Sequence, residues 1–145
     1  MTKTIRVDYP GSGARIAELT QGFFHEGVDH CLATYDGDRL LGGFIVSAYY
    51  GNTIFVHDGA DGPAWCTREL LWLLFGYIFG QLGCATAYAP IRSDNYPALS
   101  MAMRAGWKLE HVLMDAVAPG MHVMLLRMSA AECPWFRAKG RRQDG

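Results

Sequence analysis

The first part of the chain consists of short apolar runs separated by polar and glycine-containing turns, a pattern typical of β-strands. Tyr9-Pro10-Gly11 breaks the first run before a helix predicted over residues 14–24. Asp36-Gly37-Asp38 and Gly51-Asn52 have the composition of tight turns. The pattern therefore predicts a strand, a helix and a three-stranded meander, with strands at residues 4–8, 31–35, 40–50 and 53–58.

The pattern changes after a glycine-rich loop at residues 59–63, where a long apolar stretch predicts a helix over about 65–82. Gly83 suits its C-terminus, and a strand at 84–89 ends at Pro90. Asp94 or Asn95 is expected to cap a further helix, which ends at residues 105–106. Two strands at 107–117 and 122–128 and a helical turn at 130–137 complete a mixed α+β domain.

Length, charge and cysteine content narrow the possible domain organisation, partners and location of the protein. The chain has 145 residues, so residues 1–137 are expected to form one domain, followed by a basic flexible tail at 138–145. The net charge of -1 gives no basic surface for nucleic acid or anionic membranes. The longest apolar run, 70–80, is too short for a membrane span. The four cysteines lack zinc-type spacing, which favours reduced thiols, no metal and a cytoplasmic protein.

The segment NYPALSMAMRAGW at residues 95–107 is the most specific motif. It resembles the GNAT superfamily of N-acetyltransferases, in which an Asn opens a helix, a small residue follows three positions later, and Gly-Phe or Gly-Trp precedes the next strand. The matching residues are Asn95, Ala98, Gly106 and Trp107. With the order of elements, the resemblance spans roughly residues 40–128.

The resemblance implies a mixed, mostly antiparallel sheet of about seven strands, flanked by helices and splayed between the fourth and fifth strands. Acetyl-CoA would bind at that splay, and an amine would attack its thioester directly, without a covalent enzyme intermediate. The partners implied are acyl-CoA and an amine acceptor, either a small molecule or a protein. Because the long helix is apolar on almost every side, we also expect a homodimer.

A narrower resemblance concerns short GNAT-like proteins of bacteriophages, which often combine a His-containing fourth strand, a Trp before the long helix and a C-terminal Glu-Cys-x-Trp. The corresponding residues are Val56-His57-Asp58, Trp65 and Glu132-Cys133-Pro134-Trp135. The alternative function is a non-catalytic accessory or binding protein of a phage or mobile element that retains the fold. Two departures from the family pattern, described below, favour it: the altered pyrophosphate loop and the missing tyrosine.

The loop expected to hold the CoA pyrophosphate departs from the family pattern (Q/R)xxGx(G/A), because Trp65 and Thr67 occupy the glycine positions. Glycines there let backbone N–H groups approach phosphates at a helix N-terminus. Thr67 and Arg68 still offer a hydroxyl and a positive charge, although Arg68 and Glu69 also suit the solvent-facing start of a helix. The expected cofactor-binding residues are Val56, Asp58, Trp65, Cys66, Thr67, Arg68, Asn95 and Ala98.

His57 and Asp58 are the candidate catalytic residues. Attack on a thioester requires a neutral amine, and an imidazole that titrates near neutrality is suited to remove its proton. The alternative for His57 is a half-buried strand histidine paired with a backbone group. Because side chains alternate along a strand, Asp58 is expected on the face opposite to His57, so only one of the two is expected to act.

Other candidates also have more than one interpretation. Asn95 is suited both to cap its helix and to face the CoA arm. The cluster His25, Glu26, Asp29 and His30 is consistent with a solvated loop, a site for a cationic acceptor or a metal site.

The tyrosine that many GNAT enzymes place seven residues after the helix-opening Asn, as the acid that protonates the leaving thiolate, is replaced by Ala102. The thiolate would then be protonated by a water molecule, by Tyr96 or by Tyr88, or it would leave without a general acid.

Overall fold

The computed structural model describes residues 2–136 and contains one sheet in the order β1-β2-β3-β4-β5-β7-β6. All neighbouring strands are antiparallel except β4 and β5, which are parallel. This confirms the predicted mixed, mostly antiparallel seven-stranded sheet. The strands are β1 Lys3–Val7, β2 His30–Asp36, β3 Arg39–Ser47, β4 Thr53–Ala60, β5 Thr86–Arg92, β6 Lys108–Ala118 and β7 Met121–Ser129.

In the described part of the chain, three α-helices cover the two faces of the sheet: α1 Ser12–Thr20 on one face, and α2 Arg68–Phe75 and α3 Tyr96–Ala105 on the other. Ile16 of α1 packs with Ile45 in a small core. Leu70 and Phe75 of α2 pack with Val56 in a larger one. Because side chains alternate along a strand, β4 contributes to both layers.

Helix α1 lies unusually close to β4 at Gly59. A Cβ atom on Gly59 would be 2.5 Å from the carbonyl oxygen of Ile16 and 3.2 Å from the backbone nitrogen of Thr20. Backbone atoms cannot move aside as a flexible side chain can. Glycine at this position therefore allows the helix to rest directly on the strand.

The long apolar segment begins as a helix three residues later than predicted, at Arg68. The Thr67 hydroxyl accepts a hydrogen bond from the Leu70 N–H at 3.1 Å and caps the first turn. After Phe75 the chain widens into a π-helical turn, Gly76–Gln81, and Leu82 N–H donates to Tyr77 O at 2.9 Å. Gly83, at φ +71°, then ends the helical segment.

Several predicted boundaries were wrong. Helix α1 ends at Thr20 because Gln21 is left-handed, at φ +57°. Strand β4 continues through Gly59, and β5 continues through Pro90 to Arg92, so neither residue ends its strand. Residues 130–136 form turns rather than a helix. The basic tail predicted for 138–145 lies outside the described residues.

The outer surface of α2 exposes Trp72 and Leu73 to 48% and 42%, and Trp135 contacts Trp72 edge-on with ring centroids 6.4 Å apart. The homodimer stays a prediction. Within residues 2–136, no helix has the length and apolar character needed to cross a membrane.

The close approach at Gly59 can be tested by substitution. We expect Gly59→Ala to lower the free energy of unfolding by about 1–3 kcal/mol, because the new methyl group meets the α1 backbone. Gly76→Ala is the control: it has nothing within 4 Å of the added Cβ and should raise stability by about 0.5–1 kcal/mol. Chemical denaturation of both variants measures the difference, and equal effects would contradict the packing described here.

Candidate active site

The parallel pairing of β4 and β5 stops partway along both strands. It joins Thr53 to Thr86, Ile54 to Ala87 and Phe55 to Tyr88, and no later pair follows. Both strands continue, β4 to Ala60 and β5 to Arg92, each still paired to its other neighbour. The sheet is therefore splayed between its fourth and fifth strands, as predicted.

The backbone of β4 presents unpaired groups to this gap. Thr53 O accepts from Tyr50 N–H at 3.0 Å, whereas Asn52 O accepts from Thr86 N–H of β5 at 3.3 Å. Because successive residues of a strand direct their N–H and C=O groups to opposite sides, Val56, Asp58 and Ala60 direct theirs toward β5. The N–H groups of Asp58 and Ala60 lie beyond the last pair, so neither is bonded to β5. The Asp58 N–H contacts its own side-chain carboxylate, so a ligand can accept from both groups without breaking a strand pair.

A crevice lies beside this gap, on the face covered by α2 and α3. Its wall consists mainly of small and apolar side chains, with Asp58 and Cys66 as its titratable members. The lining used below comprises Val56, Asp58, Cys66, Ala89, Ala98 and Ala102. A narrow apolar channel beside free backbone donors is suited to an extended chain that carries amide groups of its own.

Asp58 is the acidic group of the crevice. Burial raises its pKa to about 6, and a hydrogen bond from its own backbone N–H partly offsets the effect. Cys66 faces it, and burial, followed by the charge of Asp58, raises the pKa of the thiol to about 12. Cys66 is therefore a neutral thiol, and Asp58 is a carboxyl that exchanges protons close to neutral pH.

His57 lies on the other face of the sheet, toward α1. Burial lowers the pKa of its imidazole, while the nearby Asp29 carboxylate acts in the opposite direction. The net shift is downward, so the ring is neutral at pH 7. His57 and Asp58 are thus adjacent in sequence but flank the splayed backbone from opposite sides.

The acidic loop before β2 lies on the same face as His57. Asp29 is buried, and its Oδ2 accepts from the His25 backbone N–H at 2.9 Å and lies 3.2 Å from His25 Nδ1. Asp8 similarly contacts His30 Nδ1 at 2.9 Å. Together with Glu26, Asp8 and Asp29 line a hollow next to the start of α1. Within residues 2–136, no three His, Cys, Asp or Glu side chains are arranged to hold a metal ion.

Sequence reasoning missed Asp8, which the β1–β2 pairing brings to this loop. Its Oδ1 accepts from the Cys31 N–H at 3.0 Å, which fixes the carboxylate between the end of β1 and the start of β2. The polar residue that follows β1 was a visible signal, but its partner is 23 positions away along the chain. Only strand pairing reveals the contact.

The loop before α2 contributes less than its sequence suggested. The Trp65 side chain is 3% exposed and packs against Phe44 with ring centroids 4.9 Å apart. The Thr67 hydroxyl accepts the capping bond from Leu70, and Arg68 is exposed at the first turn. The groups that this helix N-terminus still offers for a phosphate are therefore its backbone N–H groups and the exposed Arg68 side chain, while Cys66 lines the crevice.

Helix α3 forms one wall of the crevice. Asn95 Oδ1 accepts from the Ala98 N–H at 3.3 Å, so its side chain caps the helix. Ala102 lines the crevice at the position where many GNAT enzymes have tyrosine. Tyr96 is 74% exposed, and Tyr88 donates to Glu110 at 3.5 Å. Neither tyrosine lines the crevice, whereas Asp58 does.

No protein-family model matches this sequence, and no curated protein matches it either. Solved structures do match. The spermidine N-acetyltransferase SpeG from Vibrio cholerae, in complex with CoA and spermine, has a TM-score of 0.68 at 14% identity, covering 90% of this chain and 96% of that one. SpeG with manganese ions has a TM-score of 0.67 at 14% identity, with 88% and 92% covered.

A protein assigned to the GNAT-family acetyltransferases, from Desulfovibrio desulfuricans, matches with a TM-score of 0.63 at 16% identity, covering 88% of this chain and 99% of that one. At such low identity these similarities concern the fold. The chain therefore has the GNAT fold, as the segment at residues 95–107 indicated. The resemblance to phage proteins stays a prediction.

The charge of Asp29 can be tested at His57. We expect Asp29→Asn to lower the His57 pKa further, because it removes the carboxylate that favours the imidazolium. NMR titration of the imidazole measures the shift. Asp38→Asn, at a fully exposed side chain, serves as the control and should leave the titration unchanged. A rise of the His57 pKa in Asp29→Asn would contradict this electrostatic arrangement.

The partly buried Asp58 carboxyl should also affect stability. Its folded-state pKa lies above the ordinary aspartate value of about 3.9, so stability is lost as pH rises from about 4 to about 6. Asp58→Asn, which mimics the protonated form, should therefore be more stable than the natural protein above pH 6, by on the order of 2–3 kcal/mol. The gain should vanish below pH 4. Thermal unfolding across pH measures it, and a constant difference at every pH would contradict the raised pKa.

Proposed function

We propose that the protein is an N-acyltransferase that passes an acetyl group from acetyl-CoA to an amine by direct attack. The observation that carries this proposal is the splayed β4 edge, with unpaired N–H groups beside a narrow apolar crevice. The similar fold of SpeG, solved in complex with CoA and spermine, supports the same substrate classes.

Acetyl-CoA would supply the acyl group as a thioester. The backbone N–H groups of Asp58 and Ala60 are fixed by the pairing of β4 with β3, so they need no rearrangement to donate to a carbonyl oxygen. Donors held in place in this way stabilise the negative charge that develops on the oxygen when the amine attacks. The remaining edge of β4 pairs with the amides of the pantetheine arm.

His57 acts as the general base in this proposal. A lowered pKa keeps the imidazole neutral, so it accepts a proton from the attacking amine. Asp29 lies near His57, and it lines a hollow on the same face with Asp8 and Glu26, whose carboxylates favour a cationic acceptor there. The amine and the thioester would then approach the β4 backbone from opposite sides.

Asp58 acts as the general acid. It lines the crevice with Ala102, which leaves space where a tyrosine would otherwise reach the sulfur. A carboxyl with a pKa of about 6 can donate a proton to the departing thiolate. The amine proton goes to His57, the Asp58 proton goes to sulfur, and solvent restores both groups. In this arrangement His57 and Asp58 act together rather than as alternatives.

The start of α2 would receive the pyrophosphate through its first-turn N–H groups and Arg68. Cys66 and Ala98 contribute contacts along the crevice wall. The four cysteines lack the paired spacing of a zinc site, which fits reduced thiols, so we propose a cytoplasmic enzyme. Two side chains of the pyrophosphate loop favour the alternative function, a non-catalytic protein that retains the fold. Trp65 is buried, and the Thr67 hydroxyl already accepts the helix-capping bond from Leu70.

Binding and turnover separate these two functions. Acetyl-CoA should raise the melting temperature of the natural protein, because it binds the folded state alone. Acetylation of a polyamine such as spermidine should then fall about 10²–10⁴-fold in His57→Ala, with little change in acetyl-CoA affinity. His111→Ala, at an exposed position on β6, is the matched control and should retain activity. No thermal shift at millimolar acetyl-CoA would contradict the enzyme, and unchanged turnover in His57→Ala would remove the general base.

A further inference from the structure

Pro90 occupies an unusual place in this sheet. It lies in the middle of β5, and β5 has neighbours on both sides, β4 and β7. Proline has no N–H group and is therefore normally restricted to edge strands, strand starts and bulges. Its presence here requires that the missing N–H face a side where no ladder bond is made.

The β5–β7 pairing determines which side that is. Ala130 N–H donates to Ala85 O at 2.9 Å, and Ser93 N–H donates to His122 O at 2.8 Å. Odd-numbered residues of β5 therefore direct their backbone groups to β7, and even-numbered residues direct theirs to β4. The pairing of Pro90 with Leu125 consequently loses no hydrogen bond.

The hydrogen-bond ladder between β4 and β5 ends where Pro90 would have to supply the next donor. Thr86 N–H donates to Asn52 O, and a parallel ladder advances by two residues on each strand. The next donor is Tyr88 N–H, with Ile54 O as its acceptor in this pattern, and the pairing of Tyr88 with Phe55 is the last one observed. The donor after that would be residue 90, with Val56 O as its acceptor. Because residue 90 is proline, this bond cannot form.

We propose that Pro90 is a positioning residue that keeps the crevice open, because it removes the donor for the next β4–β5 hydrogen bond. This inference rests on the proposed function, since the open edge of β4 is the site assigned to acetyl-CoA. It places the cause of the splay in β5, whereas the strand that would bind the thioester is β4. The Val56 carbonyl then stays available to a donor from the pantetheine arm.

The test replaces Pro90 by residues that have an N–H group. In Pro90→Ala we expect the new amide at position 90 to be protected from hydrogen exchange by a bond to Val56 O, and acetyl-CoA affinity to fall about two- to tenfold. Pro97→Ala is the control: it removes a proline from the exposed first turn of α3 without adding a ladder donor. That variant should keep the affinity of the natural protein.

The two readouts distinguish the possible results. If the new amide exchanges as fast as an open amide, the proposal is overturned, and a protected amide with unchanged affinity would overturn it as well. Pro90→Val adds the same donor in a residue that favours strands, and serves if the alanine variant fails to fold. Failure of both to fold would overturn the positioning role in favour of a structural one. If the natural protein does not bind acetyl-CoA, the proposed function fails, but exchange of the new amide still decides whether Pro90 holds the strands apart.

Discussion

The structure depends on one interrupted interaction, the parallel hydrogen-bond ladder between β4 and β5. Three pairs near the start of these strands hold the two halves of the sheet together. Beyond Phe55 and Tyr88 each strand relies on its other neighbour, β3 or β7, and the gap between them exposes backbone groups. Backbone N–H and C=O groups need hydrogen-bond partners, and in the proposed function the pantetheine arm of acetyl-CoA supplies them at this gap.

The two faces of the sheet give the gap its chemical asymmetry. On one face, Gly59 lets α1 rest on the strand, and the half-buried His57 lies near Asp29 with its imidazole neutral. On the other face, Asp58 lies among apolar side chains of the α2 and α3 layer and titrates near pH 6. Consecutive residues of one strand thus acquire different protonation behaviour because the strand alternates between two environments.

Much of the fold was predictable from sequence, because hydrophobic periodicity and turn residues locate strands directly, and the segment from Asn95 to Trp107 indicated the GNAT fold. The positions of Gly59 and Pro90 within strands were not predictable, since both residues are usually strand breakers and only their neighbours explain them. The opposite orientation of His57 and Asp58 followed from strand alternation. The burial of Trp65 and the contribution of Asp8 depend on tertiary contacts that no local pattern contains. The Thr67 cap is instead a local bond to Leu70, and the prediction of a helix start near residue 65 missed it.

The most direct test of this account is residue-resolved amide hydrogen exchange along β4 with and without CoA. The account predicts an alternating result: CoA should slow exchange at Asp58 and Ala60, whose N–H groups face the gap. His57 and Gly59, whose N–H groups face β3, should change little. Uniform protection along the strand, or protection confined to other parts of the sheet, would contradict the claim that the open edge of β4 binds the cosubstrate.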